Sequence, residues 1–199
     1  FKNKINFSES PSLEAQVASI SDDIAYNSHD LEDGLKSNLF YLGDLENIPI
    51  LNKIVIKHKK KLKVYSIDLV IRQIVREIIN EMVEDIILNI KHNLKNNKIN
   101  KLADVYNSKN LIVIFSHKMR KFDMQIKEFL REKMYYSKQV LKKTNEGKKI
   151  IDFLFKQIKN NKRTFININD YNHYGVRSIC DFIAGMTDRY AINLYKKLK

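Results

Sequence analysis

Apolar residues recur at helical spacing along most of the chain. The first stripe follows the dipeptide Ser10-Pro11, a typical helix start, and continues to about Leu35. Its apolar members are Leu13, Val17, Ile20, Ile24, Leu31 and Leu35. Because these positions recur at three, four or seven residues, they predict a first helix with one apolar face. An irregular connection with a basic turn is expected to follow, as far as about Lys63.

Four further stretches keep the same helical period. They cover, in chain order, residues 66–97, 116–135, 140–158 and a last stretch from Asp170 or Asn172 through Leu194. Ser66 and Ser116 stand where N-cap residues are expected. The run LIVIF at 111–115 is too short for its periodicity to separate a strand from a buried connection. We therefore predict an all-α chain, a single region over 1–199 without an internal domain boundary.

Composition adds an uneven distribution of charge. The chain has 36 Lys plus Arg and 23 Asp plus Glu among 199 residues, a net charge of +13. Residues 1–50 carry 3 basic and 9 acidic groups, and residues 51–199 carry 33 and 14. A basic body favours polyanionic partners, with single-stranded nucleic acid as one possibility. Lysine tracts such as HKKKLK at 58–63 are nevertheless more often solvated surface.

Other features of the sequence narrow the class of protein. No apolar run approaches the roughly 20 residues that cross a bilayer, which excludes a transmembrane helix. The single cysteine, Cys180, cannot form an internal disulfide, and this suits a reducing compartment such as the cytoplasm. Its neighbours in SICDFI predict an inert core thiol. Because the chain begins with Phe1, we expect an upstream part to be missing.

The first predicted helix has a polar side opposite its apolar one. With Asp22 set at zero, a rotation of about 100° per residue places Asp33, Tyr26 and Asp30 at about 20°, 40° and 80°. Carboxylates can ligate a divalent cation or accept hydrogen bonds from sugar hydroxyls, and a tyrosine can donate to a phosphate oxygen. Spacing alone still favours the simpler interpretation, a solvated helix face.

Three motifs resemble one known family. The stretch PSLEAQVASISDDIAYNSHDLEDGL at 11–35 resembles the signature helix of deoxyguanosine triphosphate triphosphohydrolases, within the HD-domain phosphohydrolase superfamily. FLREKMY at 129–135 and ICDFIAGMTDRYA at 179–191 resemble two further motifs of that family, in the same order. The resemblance implies the C-terminal portion of a helical, metal-dependent enzyme that hydrolyses a deoxynucleoside triphosphate, such as dGTP, to the deoxynucleoside and triphosphate.

The resemblance also implies a role for each of five residues. Asp22 matches the last ligand of the divalent metal, which is Mg, Mn or a similar ion. Tyr26 matches a catalytic tyrosine placed against the substrate phosphates, and Asp30 matches an acid that binds the 3′-hydroxyl of the deoxyribose. Lys127 matches a basic residue that reaches the triphosphate, and Tyr135 an aromatic residue beside the sugar. We also expect a homo-oligomer, with a number of subunits that the sequence does not specify.

The sequence departs from the family pattern in two places. Tyr136 and Ser137 replace a basic residue and a histidine. The family's first metal-binding His and its His-Asp pair precede the signature helix, and residues 1–10 do not supply them. His29 and Asp30 spell His-Asp, but they follow the metal-matching Asp22. We therefore expect this chain alone to be inactive; the alternatives are a non-catalytic basic helical module that binds nucleic acid, and a structural or regulatory remnant.

Overall fold

Helices form both compact units of this chain. The computed structural model describes residues 9–199, and Phe1 and the other residues up to Ser8 lie outside the described part. The units are Phe1–Tyr136 and Ser137–Lys199. No strand occurs between residues 9 and 199, so the prediction of an all-α fold is confirmed. The periodicity predicted one region without a boundary and carried no signal of the division at Ser137.

Between residues 9 and 136, the first unit contains five α-helices. They are α1 (Leu13–Lys36), α2 (Pro49–Lys59), α3 (Ile67–Asn96), α4 (Leu102–Tyr106) and α5 (His117–Leu130). Two 3₁₀ turns, Leu42–Asn47 and Lys60–Lys63, flank α2, and a π-helical turn, Arg131–Tyr135, continues α5. The long helix α3 contacts both α1 and α2, and its apolar side is buried between them. One hydrophobic core therefore holds the polar side of α1 in a fixed position.

Two details of the first unit differ from the sequence prediction. The N-cap of α1 is Ser12 rather than Ser10, because the Ser12 hydroxyl accepts a hydrogen bond from the Ala15 amide at 3.3 Å. Helix α2 lies inside the stretch that we predicted as an irregular connection. This helix is only 11 residues long and runs into the lysine tract. Its few buried apolar positions therefore form too short a pattern for the sequence to predict a helix. Ser66 and Ser116 cap α3 and α5 as predicted.

The segment 111–115 is a connection and not a strand; Ile112, Val113 and Phe115 are buried, whereas Leu111 and Ile114 are exposed. The Gln16 side-chain oxygen accepts hydrogen bonds from the backbone amides of Ile112 and Val113, at 2.8 and 3.1 Å. The Asn93 amide donates to the Ile112 carbonyl at 2.9 Å. Because side chains satisfy these buried backbone groups, the segment needs no neighbouring strand.

The second unit contains five α-helices. They are α6 (Lys138–Asn160), α7 (Lys162–Phe165), α8 (Ile168–Tyr174), α9 (Val176–Ala184) and α10 (Asp188–Leu198). The prediction of one continuous last helix was wrong. Gly175 separates α8 from α9 with φ of 59°, a conformation that favours glycine. Gly185 then ends α9, and Thr187 caps α10 by accepting from the Tyr190 amide at 3.3 Å.

The core of the second unit excludes its cysteine. Leu154, Ile158, Ile179 and Ala191 form the buried centre. Ile179 takes the core position on α9, and Cys180, about 100° further around the helix, is exposed. The prediction of a buried core thiol was therefore wrong. In the described part of the chain, no helix combines the length and the hydrophobicity that crossing a bilayer requires.

Candidate functional site

The polar side of α1 forms the base of the candidate site. Ile24 and Leu31 anchor the opposite side of the helix in the core. Asp22 and Asp33 are exposed, Tyr26 is 59% exposed and Asp30 is half-buried. The predicted column of acidic residues is therefore present, but its members differ in what surrounds them.

Tyr135 covers the half-buried member of this column. Its hydroxyl donates a hydrogen bond to Asp30 Oδ2, across 105 residues of sequence. Burial raises the pKa of Tyr135, and hydrogen bonding with Asp30 and with Tyr26 raises it further. The phenol therefore stays protonated and acts as a donor at any physiological pH. The structure thus brings Tyr26, Asp30 and Tyr135 together, although 109 positions separate Tyr26 from Tyr135 in the sequence.

The π-helical turn Arg131–Tyr135 brings Tyr135 to α1. Leu130, the last residue of α5, is fully buried, and the chain continues from it into the wider turn. Single π turns of this kind are frequent at functional sites, because they redirect a side chain that a regular helix would place elsewhere. Lys127 and Tyr135 are eight residues apart and would share one face of an uninterrupted α-helix, but the π-helical turn interrupts that helix.

Lys127 contacts the side of α1 that Tyr135 also contacts. The two contact points, Asp23 and Asp30, are about two turns of α1 apart. The Lys127 ammonium lies 3.0 Å from Asp123 Oδ2 and 3.7 Å from Asp23 Oδ2. Asp23 and Asp30 are seven residues apart, which places them on one side of α1. Lys127 and Tyr135 therefore face one strip of the helix surface, from different turns.

A buried hydrogen bond anchors the carboxylate that holds Lys127. Asp123 is 6% exposed and Asn27 is 2% exposed. The Asn27 amide donates to Asp123 Oδ1 at 2.8 Å, which leaves Oδ2 for Lys127. Sequence reasoning missed Asp23, Asn27 and Asp123. The four-residue spacing of Asp123 and Lys127 was an available signal for a helical ion pair, whereas nothing in the sequence marked Asn27 as its neighbour.

Asp22 stands apart from this cluster. Over residues 9–199, no hydrogen bond or ion pair joins its carboxylate to another residue. The same residues contain no group of three or more His, Cys, Asp or Glu side chains that could hold a metal ion. Metal sites in proteins use several such ligands, so the donors present here do not by themselves fit a divalent ion.

The residues that depart from the family pattern have local explanations. The Ser137 hydroxyl accepts a hydrogen bond from the Val140 amide at 3.3 Å and so caps α6. Tyr136 ends the π-helical turn with an exposed side chain. His29, the first residue of the misleading His-Asp dipeptide, is exposed beside Asp30. Ser137 therefore has a structural role that a histidine would fill less well.

Lysines in and beside the basic tract bind partners in their own unit, although the side chains of Lys57 and Lys59 stay 64% and 54% exposed. The pairs are Lys57–Glu77 and Lys59–Glu46, each with 2.8 Å between nitrogen and oxygen, and Lys61–Gln73 with 2.9 Å. Each contact uses a donor that a polyanion would otherwise bind. These lysines therefore belong to the solvated surface, and nucleic-acid binding by the tract stays a prediction.

Comparisons with known proteins agree with the motifs. Residues 113–197 match the model of the phosphohydrolase-associated domain. A deoxyguanosinetriphosphate triphosphohydrolase-like protein of Pelagibacter ubique is 52% identical over 98% of this chain and 53% of its own length. Proteins of the same name from Bartonella tribocorum and Nitrosomonas europaea are 35% and 31% identical, over 94% and 95% of this chain and 48% and 51% of theirs.

These matches confirm the resemblance that the three motifs carry. The chain spans about half the length of the curated relatives that it matches. The matched domain includes Lys127 and Tyr135, and the longer matches extend over almost the whole chain, α1 included. The chain is therefore a relative of the deoxyguanosinetriphosphate triphosphohydrolase-like proteins, similar to them over about half of their length, and it contains the phosphohydrolase-associated domain.

Proposed function

We propose that this chain carries the sugar- and triphosphate-binding residues of a deoxynucleoside triphosphate triphosphohydrolase. Such an enzyme hydrolyses its substrate to the deoxynucleoside and inorganic triphosphate. The name of the relatives supports the reaction class. The observation that carries the proposal is the contact of Tyr135 and Asp30 beside Tyr26, because residues matched by two separate motifs meet at one place.

Asp30 and Tyr135 would recognise the sugar. Tyr135 occupies Oδ2 of Asp30, so Oδ1 is available to accept a hydrogen bond from a 3′-hydroxyl. The raised pKa of Tyr135 keeps its proton in place, so Asp30 is held in one orientation. Tyr26, which is 59% exposed, can direct its hydroxyl outward to a phosphate oxygen. This arrangement would reject an analogue without the 3′-hydroxyl, because Asp30 would lose its partner.

Lys127 would bind the triphosphate. Its side chain is 44% exposed, so a phosphate oxygen can reach the ammonium. Asp123 holds that ammonium over α1, and charge-assisted hydrogen bonds to phosphate are stronger than those between neutral groups. Lys127 would therefore help to stabilise negative charge as the triphosphate leaves.

Asp22 is the part of the proposal that needs residues from outside this chain. Its carboxylate is exposed on the same helix and matches a metal ligand of the family. Residues 9–199 offer no ligand set around it. We therefore expect this chain alone to show no turnover of dGTP. Fused to the missing half of the Pelagibacter ubique relative, it should release triphosphate, and the Asp22→Ala fusion should lose both metal binding and turnover.

The test compares dGTP with 2′,3′-dideoxy-GTP in that fusion, with products separated by ion chromatography. The unsubstituted fusion should prefer dGTP by about tenfold or more in kcat/KM, and Asp30→Asn should remove most of this preference. Lys127→Ala should raise KM for both nucleotides equally. Lys118→Ala, an exposed lysine on α5, serves as the control. Release of orthophosphate or diphosphate instead of triphosphate, or an unchanged preference in Asp30→Asn, would contradict the proposal.

A further inference from the structure

Phe40 packs between the end of α1 and the end of α5. It is 2% exposed, and its ring contacts the Phe129 ring edge to face, with the ring centroids 4.8 Å apart and the planes at 81°. Phe129 is the second-last residue of α5, directly before the π-helical turn that carries Tyr135. The Phe40 ring therefore supports the helix end from which the chain continues to Tyr135.

Gly34 allows Phe40 to approach α1 closely. Gly34 lies one turn after Asp30, on the same side of the helix. A Cβ at this position would overlap the Phe40 ring, so only glycine leaves room for that ring. Asn38 turns the chain back toward α1 with φ of 53°, and the Leu39 amide donates a hydrogen bond to the Gly34 carbonyl at 2.9 Å. The end of α1 therefore holds Phe40 against the turn that follows Asp30.

A second contact joins the same two segments. The Lys133 ammonium, inside the π-helical turn, lies 3.5 Å from Asp44 Oδ1. Asp44 belongs to the 3₁₀ turn Leu42–Asn47, which follows Phe40 in the chain. The side chains of Lys133 and Asp44 are 48% and 34% exposed, so this ion pair contributes little. The contact between the Phe40 and Phe129 rings is therefore the stronger support of the turn.

We infer that Phe40 is a positioning residue for the contact between Tyr135 and Asp30. It acts through Phe129 and the π-helical turn, because the Tyr135 hydroxyl donates to Asp30 only while that turn keeps its place. A displacement of about 1 Å is enough to weaken such a contact. The consequence for the substrate rests on the proposed function, in which Asp30 binds the 3′-hydroxyl. Loss of the Phe40 ring should weaken sugar recognition without removing a group that touches the sugar.

Fluorine NMR of the chain labelled with 3-fluorotyrosine tests the effect on Tyr135. The resonance that is absent from Tyr135→Phe belongs to Tyr135. In the unsubstituted chain it should differ from its position in urea, because the ring is partly buried and its hydroxyl is hydrogen-bonded. Phe40→Leu and Phe129→Leu each keep an apolar side chain but remove the edge-to-face contact. Each should move the resonance at least halfway to its position in urea. The double variant should move it little further, since both changes remove one contact.

The effect on the substrate is measured in the fusion to the missing half of the relative, with dGTP and 2′,3′-dideoxy-GTP. Phe40→Leu should lower the preference for dGTP in kcat/KM by about threefold or more, because Asp30 is no longer held in one orientation. The kcat/KM for 2′,3′-dideoxy-GTP should change much less, since this analogue has no 3′-hydroxyl for Asp30 to bind. General damage to the site would instead lower kcat/KM for both nucleotides equally.

Phe115→Leu is the matched control, because Phe115 is buried in the same core but lies in the connection before α5. It should leave both the Tyr135 resonance and the preference for dGTP unchanged. Circular dichroism checks that every variant retains its helices, and Phe129→Leu, at a half-buried position, decides the matter if Phe40→Leu unfolds.

Three results would overturn the inference. One is a Tyr135 resonance that neither Phe40→Leu nor Phe129→Leu moves, and another is an equal movement in Phe115→Leu. The third is a lost preference for dGTP in Phe40→Leu while the Tyr135 resonance stays in place, because Phe40 would then not act through Tyr135. An unsubstituted fusion without any preference would contradict the proposed function instead, and the fluorine resonance would still show whether Phe40 positions Tyr135.

Discussion

The hydrogen bond between Asn27 and Asp123 is buried, and this burial determines how much stability its removal should cost. In Asp123→Ala, the Asn27 amide loses its acceptor within a side chain that is only 2% exposed. An unsatisfied buried donor costs about 1–3 kcal/mol. Lys127 loses its nearer carboxylate as well, but it is 44% exposed, so that loss adds only about 0–1 kcal/mol. We expect Asp123→Ala to lower the free energy of unfolding of the first unit by about 1–4 kcal/mol.

The isosteric variant separates these two contributions. Asp123→Asn keeps a side-chain oxygen that can accept from Asn27 and removes only the charge that faces Lys127. Its cost should stay below about 1 kcal/mol. Asn27→Ala combined with Asp123→Ala should cost less than the sum of the single variants, because both remove the same hydrogen bond.

Urea denaturation followed by amide hydrogen exchange in α1 and α5 measures the first unit separately from the second. Asp33→Ala, an exposed change on α1, is the control and should lie within about 0.5 kcal/mol of the unsubstituted chain. If Asp123→Ala and Asp123→Asn lowered the free energy of unfolding by the same amount, the reasoning would be refuted. Loss of the buried hydrogen bond would then add nothing to the effect of losing the charge.

Three further predictions concern stability and exposure. Gly34→Ala should lower the free energy of unfolding, measured in urea, by about 1–2 kcal/mol. The added Cβ would overlap the buried ring of Phe40, and this cost outweighs the helix preference of alanine. A stabilised variant would contradict this prediction. Burial raises the pKa of Glu77, but hydrogen bonds from Lys57 and His58 outweigh it and leave that pKa lowered. The stability that Glu77 contributes is therefore present above the ordinary glutamate pKa of about 4.3 and is lost as the pH falls below it. The stability difference between the unsubstituted chain and Glu77→Gln, followed by urea midpoints across this range, should shrink toward acid; a constant difference would count against it. Cys180 should react with a thiol reagent in the folded chain as fast as in urea, and protection until unfolding would show that it is buried.

Local patterns in the sequence predicted the helices that have long apolar stripes and clear caps. Helices α1, α3 and α5 each combine four or more periodic apolar positions with a serine cap, so periodicity and capping agree. Helix α2 has only a few such positions and remained hidden in the basic connection. The interruption of the last helix depends on Gly175 at φ of 59°, and a lone glycine is compatible with several backbone conformations.

Prediction of the site was limited by contacts across the fold. The helical rotation of α1 predicted that Asp22, Tyr26 and Asp30 share a side, because that relation is local. The helical rotation could not show that Tyr135 covers Asp30 and leaves Asp22 exposed. The position of Tyr135 depends on how the π-helical turn continues α5. Asn27 was missed for the same reason, because its partner Asp123 is 96 residues away.

The buried hydrogen bond also bears on how Lys127 could exchange partners under the proposed function. A triphosphate that takes Lys127 from Asp123 would leave a carboxylate with 6% exposure, which is costly if nothing else binds it. The Asn27 amide donates to the other oxygen and remains in place when Lys127 moves, so it lowers that cost. In the Asn27→Ala variant, Lys127 should therefore be bound more tightly to Asp123. The affinity of this variant for inorganic triphosphate, measured by calorimetric titration, should be lower than that of the unsubstituted chain. An affinity equal to that of the unsubstituted chain would show that Lys127 does not leave Asp123 when it binds phosphate.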